Sequence, residues 1–135
     1  MAEQADERGP VLLDSHAFLW ALDDNDQLGA NVRAALQSGR EACLSSATVW
    51  ELGIKAEIGR LSLPVPLREL VRRAVVDGGV RVLDVTPEHA LRASELPMLH
   101  KDPFDRMLIA QAMTERMTLA TRDGRVEGYG VATFW

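Results

Sequence analysis

Apolar and polar residues occur along the chain in short blocks that predict strands and helices in turn. Short apolar runs closed by polar or turn-forming residues, the pattern of buried strands, lie at 11–13, 41–44, 80–85, 118–121 and 130–133. Apolar residues recur at helical spacing at 16–22, 30–37, 47–55, 67–75 and 87–96, and from 103 onward. Strands that alternate with helices pair in parallel, because each crossover returns the chain to the same edge. We therefore expect an α/β fold, a three-layer α/β/α sandwich with a five-stranded parallel sheet.

Residues that favour helix N-termini stand before several of the helical patterns. Ser15 is placed to cap a helix that begins at His16, and a serine pair that includes Ser45 precedes the next long helix. Asp102 comes directly before Pro103, a proline in the first turn of the strongest helical pattern. We expect Asp102 to be the N-cap of that helix.

Composition and charge restrict the class of protein. The chain has 135 residues, of which 47% are hydrophobic, so it fits one globular domain with a real core. Its formal net charge of -5 predicts no general attraction to nucleic acid or to an anionic membrane. A polyanion would have to be bound by a local basic patch or through a metal ion.

The termini and the cysteine content indicate a cytoplasmic protein without a membrane segment. Cys43 is the single cysteine, so no internal disulfide can form. The N-terminal residues are acidic and polar, unlike a signal peptide, and no apolar run is long enough to span a bilayer. We expect residues 1–9 to be a flexible leader and residues 10–135 to form the domain.

Four acidic residues lie where a strand gives way to a helix or close to a helix start. Asp14 closes the first predicted strand, and Asp123 follows the fourth. Glu51 lies one turn into the helix after the second strand, and Asp105 lies in the first turn of the helix after Asp102. Ligands of parallel sheets collect outside the carboxyl ends of the strands. We expect these four side chains to converge there.

Several carboxylates in one pocket repel one another unless a hard cation compensates their charge. Oxygen ligands favour Mg²⁺ or Mn²⁺, and the three histidines and one cysteine are not spaced as a zinc site. Such an ion can align a phosphodiester and activate water for its hydrolysis. Each acid also has a simpler interpretation: Asp14 as a helix cap, Glu51 as a surface position, Asp105 as a structural residue of the first helical turn and Asp123 as a turn residue.

Four segments together resemble a known family. They read VLLDSHAFLW at 11–20, SSATVWEL at 45–52, HKDPFDRMLIAQA at 100–112 and TRD at 121–123. In this order they look like the successive motifs of a PIN domain. More closely, they are similar to the VapC toxin ribonucleases of bacterial type II toxin–antitoxin modules. The resemblance covers the chain from residue 11 to residue 135.

The resemblance implies a PIN-like sandwich and a metal-dependent endoribonuclease that hydrolyses RNA with metal-activated water. Asp14, Glu51 and Asp105 match the three core acidic positions, and Asp123 matches the more variable fourth, which binds Mg²⁺ or Mn²⁺ directly or through water. The expected partners are the RNA substrate, a VapB-like antitoxin and a second copy in a homodimer or a higher toxin–antitoxin assembly. An antitoxin arginine entering the acidic pocket would replace the metal's charge, while Phe18, Leu19 and Trp20 offer an apolar surface to an antitoxin helix.

Further residues are candidates for RNA contacts, and two other functions remain open. The candidate RNA contacts are Thr121, Arg106, Arg122, Lys101 and Arg60. The histidines at 16 and 100 receive no catalytic role, because lone histidines are more often packing or surface residues. One alternative function is a catalytically idle PIN fold that binds RNA or protein. The other is a structure-specific DNA nuclease.

Overall fold

A computed structural model describes residues 9–135. The leader expected at 1–9 lies outside the described residues, apart from Gly9. The sheet contains five strands: β1 (Val11–Leu13), β2 (Ala42–Ser45), β3 (Arg81–Leu83), β4 (Thr118–Ala120) and β5 (Thr133–Phe134). Their order is β3-β2-β1-β4-β5, and every neighbouring pair is parallel. The predicted five-stranded parallel sheet is confirmed.

The helices follow the predicted spacing closely. They are α1 (Ser15–Leu22), α2 (Ala30–Gln37), α3 (Ser46–Glu57), α4 (Leu67–Arg72), α5 (Pro87–Glu95) and α6 (Pro103–Glu115). A π-helical turn, Arg73–Asp77, continues α4, and a 3₁₀ helix, Gly124–Tyr129, follows β4. Among residues 9–135, no helix is both long enough and apolar enough to cross a bilayer.

Helices cover both faces of the sheet. The side chains of β1 alternate between the two faces and pack into a separate hydrophobic cluster on each. Val11 and Leu13 belong to a cluster with buried residues of α1 to α3 and the π-helical turn. Leu12 lies on the opposite face with Leu108 and Ile109 of α6. The three layers therefore meet at β1, the central strand, and hold its carboxyl end in a fixed place.

Helix caps agree with the sequence except at α1. Ser45 caps α3 and Asp102 caps α6, as expected. The expectation that Ser15 caps α1 is wrong: Asp14 is the N-cap, and its Oδ1 accepts a hydrogen bond of 2.8 Å from the amide of Ala17. The reason is that Asp14 still has extended backbone angles, whereas Ser15 is already helical.

Candidate active site

The four acidic residues singled out in the sequence line one pocket of about 450 Å³. It lies at the carboxyl ends of β1 and β4, where the chain order of the sheet reverses, the usual place for a ligand in such folds. Besides Asp14, Glu51, Asp105 and Asp123, the lining residues are Ser15, His16, Lys55, Asp102, Thr121, Arg122 and Arg125. Side chains that are far apart in the sequence thus share one small volume.

Asp14 is held from two sides. Its amide donates to the carbonyl of Ala120, so the ends of β1 and β4 stay together. Its carboxylate accepts a hydrogen bond from the amide of Ala17, and the nearby hydroxyl of Thr121 also lowers its pKa. Burial nevertheless raises the pKa of Asp14 above its ordinary value, against the lowering effect of these bonds. Helix capping and a place in the acidic pocket are therefore roles of the same side chain.

Glu51 is a buried carboxylate on α3, with 4% of its surface exposed. Its Oε2 accepts a hydrogen bond of 2.8 Å from Nζ of Lys55, one turn further along the helix. Of its two apolar neighbours, Leu52 is buried but Trp50 is 68% exposed and stacks edge-on against Phe104. A buried acid needs a cationic partner, and Lys55 supplies one within this chain.

Asp105 carries the least compensated negative charge of the four. Its pKa is raised to about 6, first by burial and then by the neighbouring carboxylate of Asp102, with smaller contributions from Glu51 and Asp123. His100 acts in the opposite direction. The pocket therefore disfavours a further negative charge.

Asp123 is the best compensated of the four. The guanidinium of Arg125 donates to both of its oxygens, at 3.0 and 2.9 Å, and holds its pKa well below the usual range. Its amide donates to Oγ1 of Thr121 at 3.1 Å. Thr121 also lines the pocket with Asp14, and its hydroxyl lowers the pKa of that acid.

His100, which received no role in the sequence analysis, lies inside the cluster. It is 3% exposed, and its Nε2 lies 3.0 Å from Oδ2 of Asp105 and 3.1 Å from Oδ2 of Asp123. Its Nδ1 accepts a hydrogen bond from the amide of Asp102. The available signal was its position two residues before the helix cap, from which a side chain can bind the backbone at the start of the helix.

The candidate RNA contacts separate into different groups. The expectation for Arg106 is wrong: this side chain is 8% exposed and donates to the carbonyls of Ala93, Leu96 and Pro97, so it fixes a loop. Thr121 and Arg122 do line the acidic pocket.

The other two candidate contacts lie on the surface. Lys101 is exposed and lines a neighbouring depression that Arg125 shares. Arg60 is exposed beyond the end of α3 and does not line the acidic pocket. The position of neither side chain specifically indicates a contact with RNA.

The donor set fits a hard divalent cation. Five carboxylates line the pocket, including that of Asp102, against three permanently charged cations: Lys55, Arg122 and Arg125. With all acids ionised, two negative charges remain uncompensated, and this excess adds to burial in raising the pKa of Asp105. Oxygen ligands with an excess negative charge are the environment that Mg²⁺ and Mn²⁺ prefer.

Comparison with known proteins connects this geometry to a family. The chain is 29% identical over 120 residues to Ribonuclease VapC22 of Mycobacterium tuberculosis, covering 88% of this chain and 91% of the relative. In fold it is similar to VapBC2 of Rickettsia felis, solved bound to a promoter DNA fragment, with a TM-score of 0.68, 14% identity and coverage of 93% and 97%.

A second solved structure, VapC20 of Mycobacterium tuberculosis, described as a Sarcin-Ricin loop cleaving toxin, has a TM-score of 0.61 at 14% identity and coverage of 90% and 96%. At this level of identity, both structures support the fold alone. The PIN domain model matches residues 11–131, which contain all four acidic positions and nearly the whole described fold. The chain therefore belongs to the PIN domain family.

Proposed function

We propose that this protein is a metal-dependent endoribonuclease that acts as the toxin of a type II toxin–antitoxin module. The observation that carries the proposal is the convergence of Asp14, Glu51, Asp105 and Asp123 in one pocket at the switch point of a PIN fold. The 29% identity to Ribonuclease VapC22 supports RNA as the substrate.

In this proposal the four acids hold Mg²⁺ or Mn²⁺, with Asp123 bound directly or through water. When bound, the ion supplies positive charge to the phosphate and lowers the pKa of a water molecule. The chain itself contributes positioning. Asp14 is fixed by the start of α1 and by its amide bond to the carbonyl of Ala120, and Asp105 by the start of α6. Ordered helix ends of this kind keep the carboxylates in place before the substrate arrives.

Local cations are needed to bind RNA, because the net charge of the whole chain is -5. Arg122 lines the pocket and is stacked over the Trp20 ring at 4.8 Å, which leaves it few orientations. Arg125 lies on the same rim with 69% of its side chain exposed. These two arginines are the proposed phosphate contacts beside the acidic pocket.

The proposed partners are a VapB-like antitoxin and a second copy of the chain, and the proposed location is the cytoplasm. Similar solved structures include a DNA-bound VapBC of Salmonella typhimurium, with a TM-score of 0.65. The apolar surface expected from Phe18, Leu19 and Trp20 needs correction, because Phe18 is 1% exposed and belongs to the core. Leu19 and Trp20 do line an open groove with Leu61 and Leu63.

The test is RNA cleavage with Mn²⁺ by the wild type, Asp14→Asn and Asp105→Asn, using single-stranded RNA and single-stranded DNA of the same sequence. We expect the wild type to cut RNA and both variants to be inactive. Asp84→Asn is the matched control, because Asp84 also follows a strand, β3, but is exposed and outside the pocket.

Other outcomes would select the alternatives. Cleavage of DNA in preference to RNA would indicate the DNA nuclease, and absence of cleavage with retained RNA binding would indicate the idle module. Full cleavage by Asp14→Asn and Asp105→Asn would remove these acids from the mechanism.

A further inference from the structure

We infer that His100 is a positioning residue: its Nε2–H holds Asp105 and Asp123 together, and it does not itself bind the metal ion. This inference rests on the proposed function, because it concerns how the acidic pocket keeps its cation ligands in place. It assigns a role to a buried side chain that the proposed reaction does not otherwise use.

The geometry around Nε2 joins two separate parts of the fold. Asp105 belongs to the first turn of α6, whereas Asp123 follows β4 and caps the 3₁₀ helix. The Oδ2 atoms of both acids lie within 3.1 Å of Nε2 of His100. The contact to Asp123 has hydrogen-bond geometry, whereas the contact to Asp105 is a close approach of the same nitrogen. One N–H group thus lies between two carboxylates that would otherwise repel each other.

The nearness of the three groups also suits a metal site, since one ligand atom of each lies within 4.8 Å of the others. The second ring nitrogen decides between the two roles. Nδ1 of His100 lies 3.1 Å from the amide nitrogen of Asp102, and a backbone amide can only donate. Nδ1 is therefore the acceptor and carries no proton, and we assign the proton of the ring to Nε2.

Binding of a metal by Nε2 would move that proton to Nδ1. Two N–H groups, those of Nδ1 and of Asp102, would then face each other at 3.1 Å in a partly buried site. Leaving buried donors unsatisfied is unfavourable, so the start of α6 selects the donor role of Nε2. Asp123 accepts its hydrogen bond, and because Arg125 also occupies both oxygens of Asp123, Asp105 keeps more lone pairs free for a cation.

The ring is itself held from the backbone side. The hydroxyl of Tyr129 accepts hydrogen bonds from the amides of His100 and Leu99 and donates to the carbonyl of Pro97. Arg106 donates to the carbonyls of Pro97 and His100 from the other side. The loop before α6 is therefore held at several points, which fixes the backbone from which the imidazole of His100 extends.

The first test compares Mn²⁺ binding by His100→Phe and His100→Gln using calorimetry. Phenylalanine keeps a ring of similar shape without a donor, and glutamine keeps an N–H donor at a similar reach. Loss of an outer partner of a metal ligand typically lowers metal affinity about 10–100-fold, and we expect this for His100→Phe with substantial recovery in His100→Gln. Melting temperatures in EDTA show whether each variant is folded.

Results of this test separate the inference from the proposed function. Wild-type affinity in a folded His100→Phe variant would overturn the positioning role and leave the nuclease intact. Equal loss in both variants would also overturn it, because a donor alone would then not be sufficient. A wild type that binds no Mn²⁺ would overturn the proposed function itself.

The second test needs no variant. Long-range ¹H–¹⁵N correlation spectra of the wild-type histidines report which ring nitrogen carries the proton, without and with saturating Mg²⁺. We expect His100 to be protonated at Nε2 in both conditions. Loss of the Nε2 proton on addition of Mg²⁺ would show direct ligation and overturn the inference, even if His100→Phe does not fold.

Discussion

The negative charges of the acidic pocket are compensated unequally by neighbouring residues. Lys55 pairs with Glu51, and Arg125 pairs with Asp123, whereas Asp105 has only a close contact with His100, whose Nε2 is hydrogen-bonded to Asp123. Burial and neighbouring carboxylates therefore raise the pKa of Asp105 to about 6, while Arg125 depresses that of Asp123. The positions of the acids could be predicted because they follow strands or begin helices.

The partners of these acids were less visible in the sequence. Lys55 is four residues from Glu51, a spacing that places two side chains on the same face of a helix, so this pair could have been found. Arg125 and His100 reach Asp123 because of the conformation of a 3₁₀ turn and a loop. Periodicity in the sequence does not predict such irregular geometry. Arg106 was misplaced because an arginine in a motif does not reveal which carbonyls surround it.

The first prediction concerns Asp105→Asn in EDTA. A folded-state pKa raised to about 6 stabilises the fold below pH 4 and loses that contribution as the pH rises through 6. The free energy of unfolding of Asp105→Asn at pH 7 should therefore exceed that of the wild type by about 1–2 kcal/mol, after allowance for solvent screening. The difference should shrink towards pH 4.

Urea denaturation of both proteins across this pH range measures the difference. Asp84→Asn, which removes an exposed carboxylate, provides the baseline. A difference that stays constant with pH would show that Asp105 does not titrate as described.

The second prediction concerns Arg125→Ala, because Arg125 occupies both oxygens of Asp123. Without the guanidinium, Asp123 is more available to a cation, so Mn²⁺ should bind about two- to five-fold more tightly, the range typical of exposed ion pairs. The KM for RNA should rise, since a rim cation is lost. Calorimetry and steady-state kinetics test the two effects separately, with Arg68→Ala on α4 as the control. Weaker Mn²⁺ binding would contradict competition between Arg125 and the metal.

At the scale of elements, regular helices and strands followed from the hydrophobic pattern, and irregular turns did not. The predicted helix at 30–37 coincides with α2, and the start of α6 follows from Asp102 and Pro103. The fifth strand was placed at 130–133, but β5 is Thr133–Phe134, because Gly130 ends the unrecognised 3₁₀ helix with a left-handed backbone that a strand cannot adopt. That 3₁₀ helix contains two glycines and one buried valine, so no apolar periodicity in the sequence predicts it.

The third prediction compares a glycine at the start of a helix with a glycine inside a helix. A Cβ on Gly29, the N-cap of α2, would lie 2.2 Å from the backbone of Trp135, so Gly29→Ala should destabilise the fold by about 1–3 kcal/mol. A Cβ on Gly53, inside α3, would meet only the side chain of Leu67 at 3.5 Å. Gly53→Ala should stabilise the fold by about 0.4–1 kcal/mol.

Chemical denaturation of the two variants and the wild type gives both signs in one experiment. The substitution is the same at the two positions, so the difference isolates the local surroundings. A stable Gly29→Ala variant would show that the C-terminal segment moves away from α2 without cost.

For the whole molecule, function depends on the order of the strands rather than on the overall charge. The net charge of -5 opposes RNA binding, and the acidic pocket contributes to it. The strand order places the ends of β1 and β4 side by side, so acids from positions 14 to 123 meet only in the folded chain. The α/β alternation predicted this class of fold, and the positions of the four acids after strands or near helix starts predicted that they meet, as the resemblance of the four motifs also implied.

The final prediction is that an antitoxin and the metal compete for the pocket, and it rests on the proposed toxin–antitoxin function. Five carboxylates against three fixed cations attract a further positive charge, and a guanidinium can bind carboxylates with two parallel hydrogen bonds. An antitoxin that inserts an arginine should therefore inhibit RNA cleavage less as Mn²⁺ increases. Changing that arginine to alanine should weaken binding by about 30-fold or more, as for other buried charge pairs.

The measurement uses the product of the adjacent small gene, co-purified with this chain, and RNA cleavage across a range of Mn²⁺ concentrations. A lysine substitution of the inserted arginine is the matched control, because it keeps the charge and loses the paired hydrogen bonds, so its effect should be intermediate. Inhibition that does not change with Mn²⁺ would mean that the antitoxin acts outside the acidic pocket, for example in the groove of Leu19 and Trp20. If no complex forms and cleavage is unchanged, the toxin–antitoxin assignment fails while the nuclease assignment stands, since the carboxylate pocket does not depend on a partner.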